Sequence, residues 1–162
     1  MTDIRVIEAV NLEQMMMDWL LLPNGTLDTT NELASAVSVA LGTNRLASEE
    51  DVLPDPDSSD RQGWWGDYQA EEIWGGWPIG SRLWLLRRAK ITQAPSREGS
   101  TLQRARDYCV EALQAFVDQQ ICTSFEVTSI RPDVDRIYVA VTIYRGPKVA
   151  IDLRFQILWE QP

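Results

Sequence analysis

Apolar and polar positions alternate along the C-terminal part of the chain. Phe125 and Val127 alternate, as do Ile137, Val139, Val141 and Ile143, and then Val149, Ile151, Leu153, Phe155, Ile157 and Trp159. A period of two marks a strand with one buried face. Pro132-Asp133 and Gly146-Pro147 separate the runs and mark the reversals. The pattern predicts a three-stranded antiparallel meander with one apolar face for helices to cover.

Upstream the period changes. Leu102, Ala105, Cys109, Ala112, Leu113 and Phe116 fall at steps of three and four after the capping box Ser100-Thr101-Leu102-Gln103. They predict a helix over about 101–119, with Arg104, Asp107, Glu111 and Asp118 on its wet side. A second capping box, Thr29-Thr30-Asn31-Glu32, precedes Leu33, Val37, Ala40 and Leu41, and Gly42 is a natural stop. That helix is expected over about 30–41. A third is expected from a Ser81 cap through Arg82–Lys90, ended by Pro95.

At the N-terminus, Ile4–Val10 and Met15–Leu22 read as extended. Pro23-Asn24-Gly25 is a hairpin turn signal, so two short strands around a tight turn are expected. Residues 44–62 form an acidic, proline-interrupted excursion, expected to be mobile or docked on a partner. The fold class is therefore α+β: a small antiparallel sheet covered by about three helices, with an N-terminal β-hairpin. The 162 residues suit one domain over 1–162.

Charge changes the picture. Residues 1–80 hold 3 Arg/Lys against 15 Asp/Glu, and residues 81–162 hold 12 against 9. An acidic chain, with a net charge of −9, argues against a nucleic-acid partner. Arg82, Arg87, Arg88 and Lys90 nevertheless make a small basic face. It reads either as a solvated helix side or as a charge-pairing surface that meets acidic surfaces in an assembly. No run is long enough to span a membrane, and Met1-Thr2-Asp3-Ile4-Arg5 lacks the charged-then-apolar pattern of a secretion signal, so none is expected. Both cysteines, Cys109 and Cys122, are expected as free thiols in a reducing cytoplasm.

Catalytic chemistry finds little support. The chain has no His, which removes Ser–His and Cys–His pairs and the usual zinc sets. It has no Gly-rich phosphate loop. Asp55-Pro56-Asp57-Ser58-Ser59-Asp60 lacks the Gly and the Glu that a calcium loop places at its sixth and twelfth positions. Glu71 and Glu72 lie among tryptophans, as in a sugar-cleaving site, but read more simply as solvated acids. No cofactor, metal or catalytic residue is assigned.

Five of the seven tryptophans and five of the nine glycines fall in residues 62–86. Trp combines a large apolar surface with one N–H donor. Trp65, Trp84 and Trp159 are expected in the core. Trp64, Trp74 and Trp77, flanked by Gly and Pro, are expected to anchor a partner. Arg82 begins a helix, where a cation opposes the dipole, so a carboxylate partner is expected, with Asp67 the candidate.

Gly63-Trp64-Trp65-Gly66-Asp67, with Ile79-Gly80-Ser81-Arg82-Leu83-Trp84-Leu85-Leu86-Arg87-Arg88-Ala89-Lys90, resembles the signature of the gene-product-forty-six family of Mu-like phages. The resemblance extends over Leu33–Leu41 with Thr43-Asn44-Arg45, the Ala105–Leu113 helix and the strand ending Thr142-Ile143-Tyr144-Arg145, and so covers nearly the whole chain. That family is similar to the gene-product-twenty-five wedge protein of T-even phages and its relative in type VI secretion baseplates. In place of that group's short Gly-Glu-Arg-like turn, this chain has Thr43-Asn44-Arg45 and a longer acidic loop.

The resemblance implies a non-enzymatic subunit of a contractile-tail baseplate, assembled in the bacterial cytoplasm and located in the virion tail. Six copies would join wedge subunits to the hub or tube and to the first sheath ring. Trp64, Trp65, Asp67, Trp74, Trp77 and Arg82 are the candidate wedge interface. Val149, Ile151, Leu153, Phe155, Ile157 and Trp159 are candidates for strand pairing with sheath or neighbour. Two alternatives stand beside this reading: a small glycan-binding or lysozyme-like module built on the tryptophans, and a transient tail-assembly chaperone.

Overall fold

A computed structural model describes residues 6–11, 14–19, 23–24, 32–75, 78–87, 100–133 and 136–158. Its elements run β1 (Val6–Asn11), β2 (Gln14–Trp19), α1 (Glu32–Gly42), α2 (Ala70–Trp74), α3 (Thr101–Asp118), β3 (Ser124–Asp133), β4 (Arg136–Arg145) and β5 (Lys148–Leu158). Two single turns of 3-10 helix, Trp65–Asp67 and Leu83–Leu86, lie between them. This is a small α+β fold.

The C-terminal strands form the expected antiparallel meander, in the order β3-β4-β5. Ile137, Val139, Val141 and Ile143 of the central strand are fully buried. Val141 stands opposite Val127 on β3 and Leu153 on β5, and Val139 opposite Ser129 and Phe155. Residues directly opposite share a sheet face, so the alternation on each strand builds one face. The alternation fails at one place. A register shift between Ile143 and Tyr144 pairs Tyr144 with Val149, taking Val149 out of phase with Ile151 and leaving it 56% exposed. An extra residue at a bulge does this to a period-two pattern.

Helix α3 lies against β3 and β4 and buries Ala105, Cys109, Ala112, Leu113 and Phe116. The Ser100 hydroxyl accepts from the Gln103 N–H at 3.2 Å, the cap read from sequence. At the other end Gln120 takes a left-handed φ of 58°. The Ile121 N–H reaches the Phe116 carbonyl at 2.8 Å, and the Gln120 N–H reaches Val117 at 2.9 Å. This pair of bonds satisfies carbonyls that a helix end leaves free. Helix α1 adds Leu33, Val37, Ala40 and Leu41, and Leu86 completes the core. Each such fully buried aliphatic side chain contributes about 1.5–3 kcal/mol relative to exposure.

Two expectations change. The segment after Ser81 is a single 3-10 turn rather than a helix through Lys90, and residues 88–90 lie outside the described ones. Its position explains this. Ser81 is held by three non-local bonds: its N–H to the Thr43 carbonyl at 2.9 Å, its carbonyl to the Arg45 N–H at 3.1 Å, and its hydroxyl to the Leu41 carbonyl at 2.7 Å. The Ser81 hydroxyl also accepts from the Leu83 N–H at 3.4 Å, so Ser81 caps the short turn while the neighbouring segment holds it. At the N-terminus β1 pairs antiparallel with β2, with Asn11 opposite Gln14, so Pro23-Asn24 is not the connection between them. Gly25 and the Thr29–Asn31 cap lie outside the described residues.

The acidic excursion is closed on itself. The Ala47 N–H donates to the Arg61 carbonyl at 3.0 Å, the Arg61 guanidinium donates back to the Ala47 carbonyl, and the Asn44 side-chain amide donates to Gln62. Inside it, Asp55, Ser58 and Asp60 accept backbone N–H bonds from Asp57, Asp60 and Gln62. Such short-range turns hold a polar loop without a core of its own.

Candidate functional site

The tryptophan segment is built around Gly66. The Trp64 ring covers this residue so closely that a Cβ there would stand 2.2 Å from the ring. Only glycine permits that approach. The Trp65–Asp67 turn then carries Trp65 away from the body of the protein. Its ring lies 5.0 Å from that of Trp64, tilted by 56°, and is 85% exposed. The expectation of a core Trp65 is therefore overturned, and the partly covered residue is Trp64. Tyr68, which the sequence did not single out, is 77% exposed beside it.

Asp67 closes the turn, its carboxylate accepting from the Trp64 N–H at 3.3 Å. Among the described residues, its other carboxylate oxygen and the Trp64 indole N–H are buried without a hydrogen-bond partner. Gln62 and Gln69 flank the turn with φ of 53° and 56°. Non-glycine residues rarely adopt this region, so the turn is held in a strained shape. Leu46, half exposed, packs on Gly63 at its base. Ile73 on α2 is also exposed. Trp74 ends α2, and Trp77 lies outside the described residues.

Arg82 does have carboxylate partners, but Asp67 is not one of them. Its guanidinium meets both Asp51 oxygens at 3.0 Å and Glu111 at 2.8–2.9 Å. Arg45 holds the other Glu111 oxygen at 3.1 Å, and the Tyr108 ring lies 5.0 Å under Arg82. Burial pushes the Asp51 carboxyl up, but the Ser48 N–H bond and Arg82 outweigh it and leave it below its ordinary value. Burial pulls Arg82 down, and its bonds to Asp51 and Glu111 more than restore it. Arg82 and Arg45 together thus pin the acidic loop to α3. Sequence spacing puts Glu111 on the wet side of its helix, and Asp51 is one acid among many. Nothing local in sequence marks either, because their partner is distant along the chain.

Two blocks of the resemblance, Thr43-Asn44-Arg45 and Gly80-Ser81, meet in space. Asn44 forms a parallel bridge with Ser81. At Gly80 φ is +115°, and a Cβ would stand 2.8 Å from the Thr43 carbonyl oxygen, so no other residue fits the crossing. Trp84 is buried as expected, packed with Ala47 and Leu85, its indole N–H donating to the Arg45 carbonyl at 2.8 Å. Of the basic candidates Arg87 is exposed, while Arg88 and Lys90 lie outside the described residues.

Strand β5, carrying Val149, Ile151, Leu153, Phe155 and Ile157, is an edge of the sheet; Trp159 lies outside the described residues. The other edge, β3, is guarded. Arg106 Nε donates to the Val127 carbonyl at 3.0 Å, Pro132 has no N–H to offer, and the register breaks between Ile130 and Asp133. Among the described residues, no backbone hydrogen bond reaches β5 from outside the sheet.

Reactive chemistry is sparse. Among the described residues no group of three His, Cys, Asp or Glu is placed to hold a metal. Burial pushes the Cys109 thiol up to about 12. A groove of about 530 Å³ between α3 and β3 is lined by Arg106, Val110, Val117 and Phe125, and by no tryptophan. No helix among the described residues is long and apolar enough to cross a membrane.

Comparison with known proteins bears on these surfaces. The family model described as phage protein GP46 matches residues 33–149. The chain is 35% identical to the baseplate protein gp46 of Escherichia phage Mu, over 78% of this chain and 80% of that protein. It is 28% identical to the Mu-like prophage FluMu protein gp46 of Haemophilus influenzae, over 76% of each.

Proposed function

The chain belongs to the phage protein GP46 family, and on that premise we propose that it is a structural component of a contractile-tail phage baseplate, located in the virion tail. Its work is to join other baseplate wedge subunits to the hub or tube and to the first sheath ring, without chemistry on a small molecule. Six copies per particle, with no nucleic-acid or membrane partner, complete the reading. The observation that carries it is the pairing of that family membership with a fixed turn that holds Trp65 and Tyr68 out to solvent. Exposed aromatics on an ordered frame are what protein interfaces use as anchors.

Strand β5 supports the sheath contact. It is an edge of the meander, and an edge strand offers backbone N–H and C=O groups to an added strand. The exposed Arg87, with Arg88 and Lys90, remains the proposed charge-pairing surface toward acidic neighbours. Deleting the gene tests the reading. Lysates should then contain no sheathed tails, and a plasmid copy should restore them with the protein present in purified particles. Normal contractile particles without it would refute the assignment. Particles restored by a protein that is itself absent from them would indicate an assembly chaperone instead.

A further inference from the structure

Resting on the baseplate reading, we propose that Trp65 and Tyr68 form a preset aromatic knob that enters an apolar pocket on a different baseplate protein, and that the rim of this pocket is basic. The first support is exposure. This chain buries Trp84 to 4% yet leaves Trp65 at 85% and Tyr68 at 77%, with half-exposed Leu46 at the base of the turn. Apolar surface gathered on one segment of a folded protein marks a contact site. The second is rigidity. Trp64 stacked on Gly66 and the Asp67 cap fix the turn, and hold Gln62 and Gln69 in the left-handed region, before any partner arrives. A preset anchor loses little freedom on docking.

The third support is charge, which decides the partner's chemistry. Residues 44–75 hold nine Asp/Glu and two Arg. Both arginines are engaged within the chain, Arg45 with Glu111 and Arg61 with the Ala47 carbonyl and Glu49. Glu50, Asp57, Asp60 and Glu72 are exposed, and Asp60 is bonded to Gln62 at the foot of the turn. Among the described residues, the knob therefore stands in an acidic field. A Lys/Arg-rimmed pocket complements it, whereas the same surface of a second copy repels it. A neutral glycan makes no use of the acidic surround.

The test uses assembled tails from the strain that encodes this chain. With p-benzoylphenylalanine in place of Trp65, irradiation of purified tails followed by mass spectrometry should join position 65 to another protein, at an apolar site flanked by Lys or Arg. In co-expression with a tagged wild-type copy, Trp65→Ala should enter tails about tenfold less often or worse, and Trp65→Phe should recover part of the loss. Asp60→Lys with Glu72→Lys should lower entry several-fold. Trp65 is exposed, so the melting temperature of Trp65→Ala should match the wild type; if that variant fails to fold, Tyr68→Ala carries the same test.

Equal entry of Trp65→Ala and wild type would overturn the proposal. So would cross-links to a second copy or to an acidic surface. A wild-type chain missing from purified tails would instead remove the baseplate reading, and the proposal with it.

Discussion

Replacing Arg82 by Ala probes the joint on which the acidic loop, the Gly80-Ser81 crossing and α3 depend. The substitution strips Asp51 of its cation and leaves Glu111 with Arg45 alone. Breaking a fully buried ion pair from one side costs about 3–5 kcal/mol, while an exposed pair is worth about 0–1 kcal/mol. The side chains here are 25%, 13% and 32% exposed for Arg82, Asp51 and Glu111. They lie between those limits and nearer the buried one, so a loss of about 2–3 kcal/mol is expected. For a chain of this size that is a fall of roughly 4–12 °C in Tm. Urea unfolding followed by far-UV circular dichroism measures it directly. Arg82→Lys should recover only part, since an ammonium cannot bridge both carboxylates in the fork geometry. The sign with pH is fixed by Asp51. Its folded value lies below the ordinary 3.8, so its contribution is complete above that value and is lost as pH falls through the lower, folded one. The gap between wild type and Arg82→Ala should therefore hold from pH 7 to 5 and narrow below about 4. A loss under about 0.5 kcal/mol at pH 7, the size of an exposed pair, would refute the reasoning.

Three further outcomes are expected. Gly66→Ala puts a methyl group against the Trp64 ring and should destabilise by about 1–3 kcal/mol, with a shifted tryptophan emission spectrum; unchanged emission and stability would contradict the stacking. Gln69→Gly relieves the left-handed backbone there and should raise stability by up to about 1 kcal/mol, read as a rise in urea midpoint. Cys109 and Cys122 are buried free thiols with raised pKa, so iodoacetamide at pH 8 should modify neither in the native protein and both in urea; rapid native labelling would disagree.

How far the sequence speaks depends on whether the deciding contacts are local. Helix α3 was readable because its cap, Ser100, and its apolar stripe lie within the helix itself. The meander was readable because alternation is a property of each strand. The exposure of Val149 arises from a bulge that pairing between strands creates. Leu83–Leu86 reads as helix by propensity, yet the bonds that hold Ser81 come from Leu41, Thr43 and Arg45. The tryptophans look alike in sequence. Trp84 goes inward because its N–H finds the Arg45 carbonyl, and Trp65 goes outward because the ring of Trp64 already occupies Gly66. Likewise Arg82 was legible as a cation in need of carboxylates, but their identities, Asp51 and Glu111, required the folded chain.

Hydroxyl-radical footprinting of Trp65, first on the isolated protein and then on purified tails, asks most directly whether the tryptophan turn is where this chain is seated. In the isolated protein the 85% exposed indole should oxidise readily. In assembled tails its oxidation should fall about tenfold or more, as for a residue at the centre of an interface, while exposed Ile130 on β3 serves as a reference. Equal oxidation of Trp65 in both states would contradict the account.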